Sequence, residues 1–177
     1  MTYADIDDAL ASMVIIYDTR EQPTPALQRR LSAFPCDTRR EMCNFGDYSA
    51  CCKLPDGTEL TLNGRVAIER KMNLDELSRN FTANRDRFAR EFQRAKDNGG
   101  KLYLLVENAN WDMVFAGRYK TKFNKDAYVA SLMAWQARYN TQILFCTAEL
   151  SPMVIYKVLR YELKEQLEKM CEVVQNG

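Results

Sequence analysis

Short apolar, β-branched runs that end on acids constrain this chain more than any other feature. Val14 to Tyr17 runs into Asp18-Thr19-Arg20-Glu21, and Leu102 to Glu107 is an apolar stretch that again closes on an acid. Such runs read as buried strands whose C-terminal ends turn polar. In a further strand, Val66, Ile68 and Arg70 alternate with Ala67, Glu69 and Lys71. Period-two alternation puts Glu69 and Lys71 on one face.

The rest of the chain supplies helices and one hairpin. Residues 5–13 read as a short acidic lead-in of one helical turn. Pro23 and Pro25 break the first strand, and Ala26 to Ala33 forms a short helix stopped by Pro35. A second strand runs from Gly46-Asp47-Tyr48 to about Leu54. Pro55-Asp56-Gly57-Thr58 is a turn signal, so the next strand returns as a hairpin. Asn63-Gly64 separates Glu59 to Leu62 from Arg65 to Lys71. Leu74 to Lys96 is mostly helical, with Phe81, Phe88, Phe92 and Ala95 in one apolar stripe, and Gly99-Gly100 ends it. Trp111 to Asn124 is loop-rich. Lys125 to Arg138 is helical through Tyr128, Leu132 and Trp135, and Ile143 to Cys146 is a strand. Ser151 reads as an N-cap with Pro152 at the first helical position. The last helix runs to about Val173 on an apolar face of Ile155, Val158, Leu159, Leu163, Leu167 and Met170. No repeat or linker interrupts residues 1–177. The expectation is one α/β domain with a mixed central sheet and helices on both faces.

Composition removes several chemistries. The chain has no histidine, which excludes Ser-His-Asp and Cys-His nucleophilic sites, histidine-ligated zinc and a histidine general base. Hydrolysis would have to run on carboxylates, Lys, Tyr, Cys or a carboxylate-bound metal. With 25 basic and 24 acidic residues, net charge says nothing about a nucleic-acid partner, and only its distribution can. No apolar run is long enough to span a membrane, and the acidic N-terminus lacks the basic segment of a secretory signal. The cysteines at 36, 43, 51, 52, 146 and 171 form no CxxC pair, which argues against a zinc ribbon and for thiols in a reducing cytosol.

Asp18, Glu21, Asp47, Glu69 and Glu107 all fall at or beside strand ends, with Lys71 two residues beyond Glu69. In an α/β sheet, side chains at strand ends converge on a crevice. Several carboxylates there repel one another unless a cation compensates, and an oxygen-only donor set suits magnesium or manganese. Such an ion lowers the pKa of a bound water and stabilises charge on a phosphoryl oxygen, and a lysine on the same face orients that water or stabilises the transition state. The competing reading is an ion-pair cluster at the surface. For Asp18 and Glu21 it is an acid placed near a helix dipole. Glu107 reads as structural, although its strand end faces the same way.

Gly46-Asp47, Glu69-Arg70-Lys71 and then Asp75 match the pattern GDx(n)ERKx(3)D. Asp18-Thr19-Arg20-Glu21 matches DxRE at the end of a strand. Arg87-Phe88 and Leu104-Leu105-Val106-Glu107 also stand where similar positions fall. Over about residues 14–165 the chain thus resembles the nuclease domain of the XPF-type structure-specific endonucleases. The resemblance implies a restriction-endonuclease-like fold that cuts branched, flapped or junction DNA with magnesium or manganese. It implies that Asp47, Glu69 and the Arg70 main-chain carbonyl bind the metal and that Lys71 is the catalytic lysine. Asp18, Arg20, Glu21 and Asp75 are carried over as further catalytic residues, and Asp75 has an alternative role holding the strand-to-helix turn. Roles in DNA repair or recombination follow from the same likeness. Holliday-junction resolution, general nuclease activity, and a non-catalytic scaffold or partner-dependent subunit are the rival readings.

Two departures from that family stand out. No GxG hairpin pattern follows the last helix, so duplex grip is expected from elsewhere: a homodimer or a protein partner. Glu91 stands near a position where the family tends to have Gln. A small domain of this kind looks bacterial or phage-encoded, and cytoplasmic. Basic residues outnumber acids across 65–101, while 1–21 is acidic. Arg79, Arg87, Arg90 and Arg94 are candidate DNA contacts, the last three sharing a helix face. Arg118, Lys120 and Lys122 interleave with Tyr119 and Phe123, a pattern that suits unpaired bases and backbone. Solvated helix and loop surfaces are the bland alternatives for both segments. For the last helix, core packing competes with a dimer surface.

Overall fold

The computed structural model describes residues 2–175; residues 1, 176 and 177 of the expected domain lie outside them. The elements in chain order are α1 (Tyr3–Ala11), β1 (Val14–Tyr17), α2 (Pro25–Ser32), β2 (Asp37–Arg40), β3 (Tyr48–Lys53), β4 (Glu59–Thr61), β5 (Val66–Lys71), α3 (Leu74–Asn80), α4 (Arg85–Asp97), β6 (Lys101–Glu107), α5 (Trp111–Phe115), α6 (Lys125–Tyr139), β7 (Ile143–Cys146) and α7 (Ser151–Gln175). The strands form one mixed sheet in the order β2-β1-β3-β5-β6-β7, with β4 paired to β3. β5, β6 and β7 run parallel, so their C-terminal ends share one edge of the sheet. β3 is antiparallel to both β1 and β5, and its first residue, Tyr48, pairs with Ile68. The residues just before β3 therefore lie at the edge where β1 and β5 end.

Strand alternation divides the interior into two cores. Ile15, Tyr48, Ala50, Ile68, Tyr103 and Leu105 face α1 and α7. Ala67, Leu102, Leu104 and Val106 face α3, α4 and α6, where Trp135 is the largest fully buried side chain. Trp135 stacks on Phe88 and meets Phe81, Phe92 and Tyr139 at steep angles, the geometries aromatic quadrupoles favour.

Several elements differ from the sequence expectation. Residues 37–40 form an edge strand parallel to β1, although Asp37-Thr38-Arg39-Arg40 shows no apolar alternation. α1 is nine residues long rather than one turn, because Ile6, Ala9 and Leu10 are buried against the sheet. The segment 74–96 is two helices, broken after Asn80; Phe81 keeps its place in the stripe by packing edge-on against Phe88. Ser151 does not cap α7. The amide of Val154 already donates to the Leu150 carbonyl, so Ser151 lies inside the first turn with its hydroxyl buried and unpaired. On α7 it is Cys171, not Met170, that continues the buried stripe of Ile155, Leu159, Leu163 and Leu167. Among the described residues, no helix is long and apolar enough to cross a membrane.

Candidate active site

The cleft begins with a glycine. Gly46 has φ +70°, and a Cβ there would sit 3.0 Å from both Ala67 Cβ and Leu102 Cδ1. Only a residue without a side chain lets the backbone lie this close to β5 and β6 while turning into β3. The Asp47 amide donates to the Ile68 carbonyl at 2.8 Å, and the Asp18 amide donates to the Asp47 carbonyl at 2.9 Å. Asp47 is thereby stitched to the ends of both β1 and β5. Its Oδ2 accepts the Arg70 amide at 2.7 Å.

Glu69 and Lys71 project from the α4 face of β5, as their spacing of two requires. Lys71 Nζ lies 2.6 Å from Glu69 Oε1 and 5.3 Å from the centroid of the Phe88 ring. Both side chains are almost fully buried. Together with Arg20, Glu21, Glu76, Arg87 and Glu91 they line a cleft of about 300 Å³ that also includes Asp47. Asn80 and Asn84, at the break between α3 and α4, add amides to its wall.

The electrostatics follow from crowding acids into that space. Burial, and after it the charge of Glu69, pushes the Asp47 carboxyl well above the usual range; Lys71 and the Arg70 amide pull the other way. Burial also raises Glu21, against the pull of Arg70 and Arg30. For Lys71, burial disfavours the ammonium, but Glu69 and then Asp47 outweigh it and hold the lysine protonated above its ordinary value. The donors of this carboxylate cluster are all oxygen, a set that suits a hard divalent cation. Among the described residues, no group of three or more Cys, Asp or Glu comes together as a ready-made metal cage. Any ion bound here would lean on Asp47 and Glu69 and on main-chain or water oxygens.

The structure separates the remaining sequence candidates. Asp18 is buried behind the cleft rather than lining it. Its Oδ1 accepts from the Arg20 amide at 2.7 Å and from Arg20 Nε at 2.6 Å, and its Oδ2 accepts the Cys43 amide at 2.7 Å. Burial works against its charge, but the Arg20 side-chain and main-chain hydrogen bonds and the Cys43 amide outweigh it, so the carboxyl is held below its ordinary value. Arg20, held by Asp18, lines the cleft next to Glu21. Asp75 lies outside the cleft lining. Its Oδ1 accepts the Lys120 amide at 2.6 Å and the Thr121 amide at 3.3 Å, which docks the basic loop onto α3. Arg87 lines the cleft; Arg90 and Arg94 are exposed on α4, with Arg94 Nη1 3.2 Å from the Asn44 carbonyl. Arg79, Arg118, Lys120 and Lys122 are exposed.

Glu107 has a structural place. It ends β6, as expected, but parity puts it on the opposite face from Glu69. There it is buried and holds Arg70 through a two-pronged ion pair, with Arg30 Nε 3.6 Å away. The Arg70 side chain therefore points away from the cleft, while its amide faces Asp47. Glu91 carries more than the sequence suggests. Its Oε1 accepts the Gly46 amide at 2.9 Å, tying α4 to the loop that presents Asp47. A carboxylate on the cleft side of an Arg-rich helix was the available signal, but its partner lies 45 residues back and no local pattern links the two.

The ERCC4 domain family model matches residues 3–156. The chain belongs to the ERCC4 domain family. That family is one of DNA nucleases whose members generally depend on divalent metal. Among solved structures, this ERCC4 domain is similar to XPF from Aeropyrum pernix, with 18% identity and a TM-score of 0.59, over 84% of this chain and 61% of that one. The structure of XPF from Aeropyrum pernix in complex with DNA matches with the same identity and TM-score, over 86% of this chain and 66% of that one. These likenesses speak for the shared fold, and the chain spans less than two thirds of the length of either. No curated protein matched the chain.

Proposed function

We propose that this ERCC4 domain is a metal-dependent endonuclease that hydrolyses a phosphodiester in branched or flapped DNA. The observation that carries the reading is the convergence of Asp47, Glu69 and Lys71 in one cleft, with Lys71 Nζ 2.6 Å from Glu69 Oε1. Asp47, Glu69 and the Arg70 carbonyl would hold magnesium or manganese. When bound, the ion supplies a water of lowered pKa and charge stabilisation at the phosphoryl oxygens. Lys71, held protonated by its two acidic neighbours, stabilises the charge that builds on the phosphate. Glu69 fixes the ammonium, and the ring of Phe88 beneath it limits where it can swing. Arg20 and Arg87, on the cleft wall, neutralise phosphates flanking the one attacked. Arg79, Arg90, Arg94 and the loop carrying Arg118, Lys120 and Lys122 track the DNA backbone beyond it. Asp18 acts through Arg20, and Asp75 acts by docking the basic loop.

Cleavage of a labelled panel tests this: single strand, duplex, flap, splayed arm and four-way junction, each with magnesium, manganese or chelator. The expected result is metal-dependent cutting of the branched substrates, abolished in Asp47→Asn. Cutting of plain duplex at the same rate would make it a general nuclease, and cutting confined to the four-way junction would make it a resolvase. Binding without cutting under every condition would sink the catalytic reading.

A further inference from the structure

The groove that contains Glu69 and Lys71 does not stop at the cleft. Glu76 lines both the cleft and a neighbouring hollow whose walls include Arg70, Met72, Arg79 and Lys120. Arg70 and Met72 also line a third hollow, of about 460 Å³, closed by Arg29 and Arg30 of α2 and by Pro152 in the first turn of α7. The shared residues place the three side by side around the C-terminal end of β5. Since Arg70 points to the opposite face from Glu69 and Lys71, the path crosses from the α4 side of the sheet to the α2 side within a residue or two of the acids.

The chemistry of the third hollow is that of an anion site. The Arg30 side chain is only 9% exposed, with Nη1 3.1 Å from the Tyr48 hydroxyl. Arg70 is held rigid by Glu107, and Arg29 is exposed at the mouth. Three guanidiniums thus line one hollow with a single buried carboxylate, which is paired with Arg70 and 3.6 Å from Arg30; Glu149, the other acid of the lining, is exposed. Pre-positioned arginines favour a phosphate. Neither Arg29 nor Arg30 lines the cleft.

We propose that the DNA strand held in the cleft continues over Met72 and seats a backbone phosphate among Arg29, Arg30 and Arg70. This rests on the nuclease reading above. It makes the end of β5 a saddle, with the scissile phosphate on one side and an anchoring phosphate on the other. A branch point, where one strand leaves its duplex, suits such a saddle better than a continuous helix does.

The test uses the full chain carrying Asp47→Asn, in chelator, so that binding is read without cutting. A flap with a labelled single-stranded arm is titrated at several salt concentrations. Adding Arg29→Glu is expected to weaken binding about tenfold and to reduce the slope of log affinity against log salt by about 1. Lys169→Glu, the same charge change near the far end of α7, is the control and leaves both unchanged. Equal affinity and slope with and without Arg29→Glu would overturn the proposal, as would an equal loss in Lys169→Glu. Inorganic phosphate that protects the parent against heat but not the Arg29→Glu form, with DNA binding unaltered, would also overturn it by showing a free-anion site. A parent that binds no DNA at all would instead sink the nuclease reading, and this proposal with it.

Discussion

Arg70 lies between Glu69 and Lys71 in sequence, yet its side chain ends on Glu107 on the far side of the sheet, with Arg70 Nε 2.7 Å from Glu107 Oε1. The same residue donates its amide to Asp47. One position therefore locks the cleft acid Asp47 with its backbone and the opposite face with its guanidinium. Arg70→Lys keeps the charge but loses the planar two-pronged pair with a buried carboxylate. It is expected to destabilise the domain by about 2–4 kcal/mol in urea unfolding, and Arg70→Ala by at least as much.

Lys71→Met tests the ammonium in the cleft. Hydrophobic replacement of similar length keeps the packing against Phe88 while removing the charge. Cleavage of the preferred substrate should fall by about 100-fold or more, with flap affinity within about threefold of wild type. Unchanged turnover would remove Lys71 from the chemistry.

Asp47→Asn should trade activity for stability. The folded-state carboxyl is raised, so its contribution is full below the ordinary aspartate value of 3.8 and is lost as pH rises through the folded value. In chelator at neutral pH the buried carboxyl, crowded by Glu69, is a cost that the amide removes. Thermal melts should show the variant more stable than wild type at pH 7, with the difference vanishing toward pH 4, while cleavage is abolished.

Asp18→Asn should have the opposite pH signature. Its carboxyl is held low, so its stabilisation is present above the ordinary value of 3.8 and is lost as pH falls through the folded value. The variant is expected to lose about 1–3 kcal/mol at pH 7 and to show a shallower loss of stability below pH 4 than wild type. Circular-dichroism melts across that range read both.

Gly46→Ala adds a Cβ to a left-handed turn that has no room for it, 3.0 Å from Ala67 Cβ and 3.2 Å from the Ile68 carbonyl. Gly57→Ala adds one to a left-handed turn with open space around it. The first should cost about 3 kcal/mol or more in chemical denaturation and the second about 1 kcal/mol. Equal costs would mean that the β3 approach is looser than this packing implies.

Much of this molecule is readable from short-range pattern. Period-two alternation places Glu69 beside Lys71, apolar runs mark β1, β5, β6 and β7, and Asn63-Gly64 with Pro55-Asp56-Gly57 mark the turns around β4. Each follows from geometry within a few residues, where backbone sterics leave few choices. Other features have no local signature. The edge strand Asp37–Arg40 pairs because β1 leaves it an open edge, not because of its own composition. Glu91 reaches Gly46 across 45 residues, Asp75 captures the Lys120 amide across 45, and Glu107 meets Arg70 across 37. Those partnerships depend on strand order and on which face each end presents. Single-residue parity decides that face, and parity is fixed only when every strand's register is set against its neighbours. The strand ends and their acids belong to the chain's local chemistry; which acids share a cleft, and which are spent holding arginines behind it, comes from how the sheet is assembled.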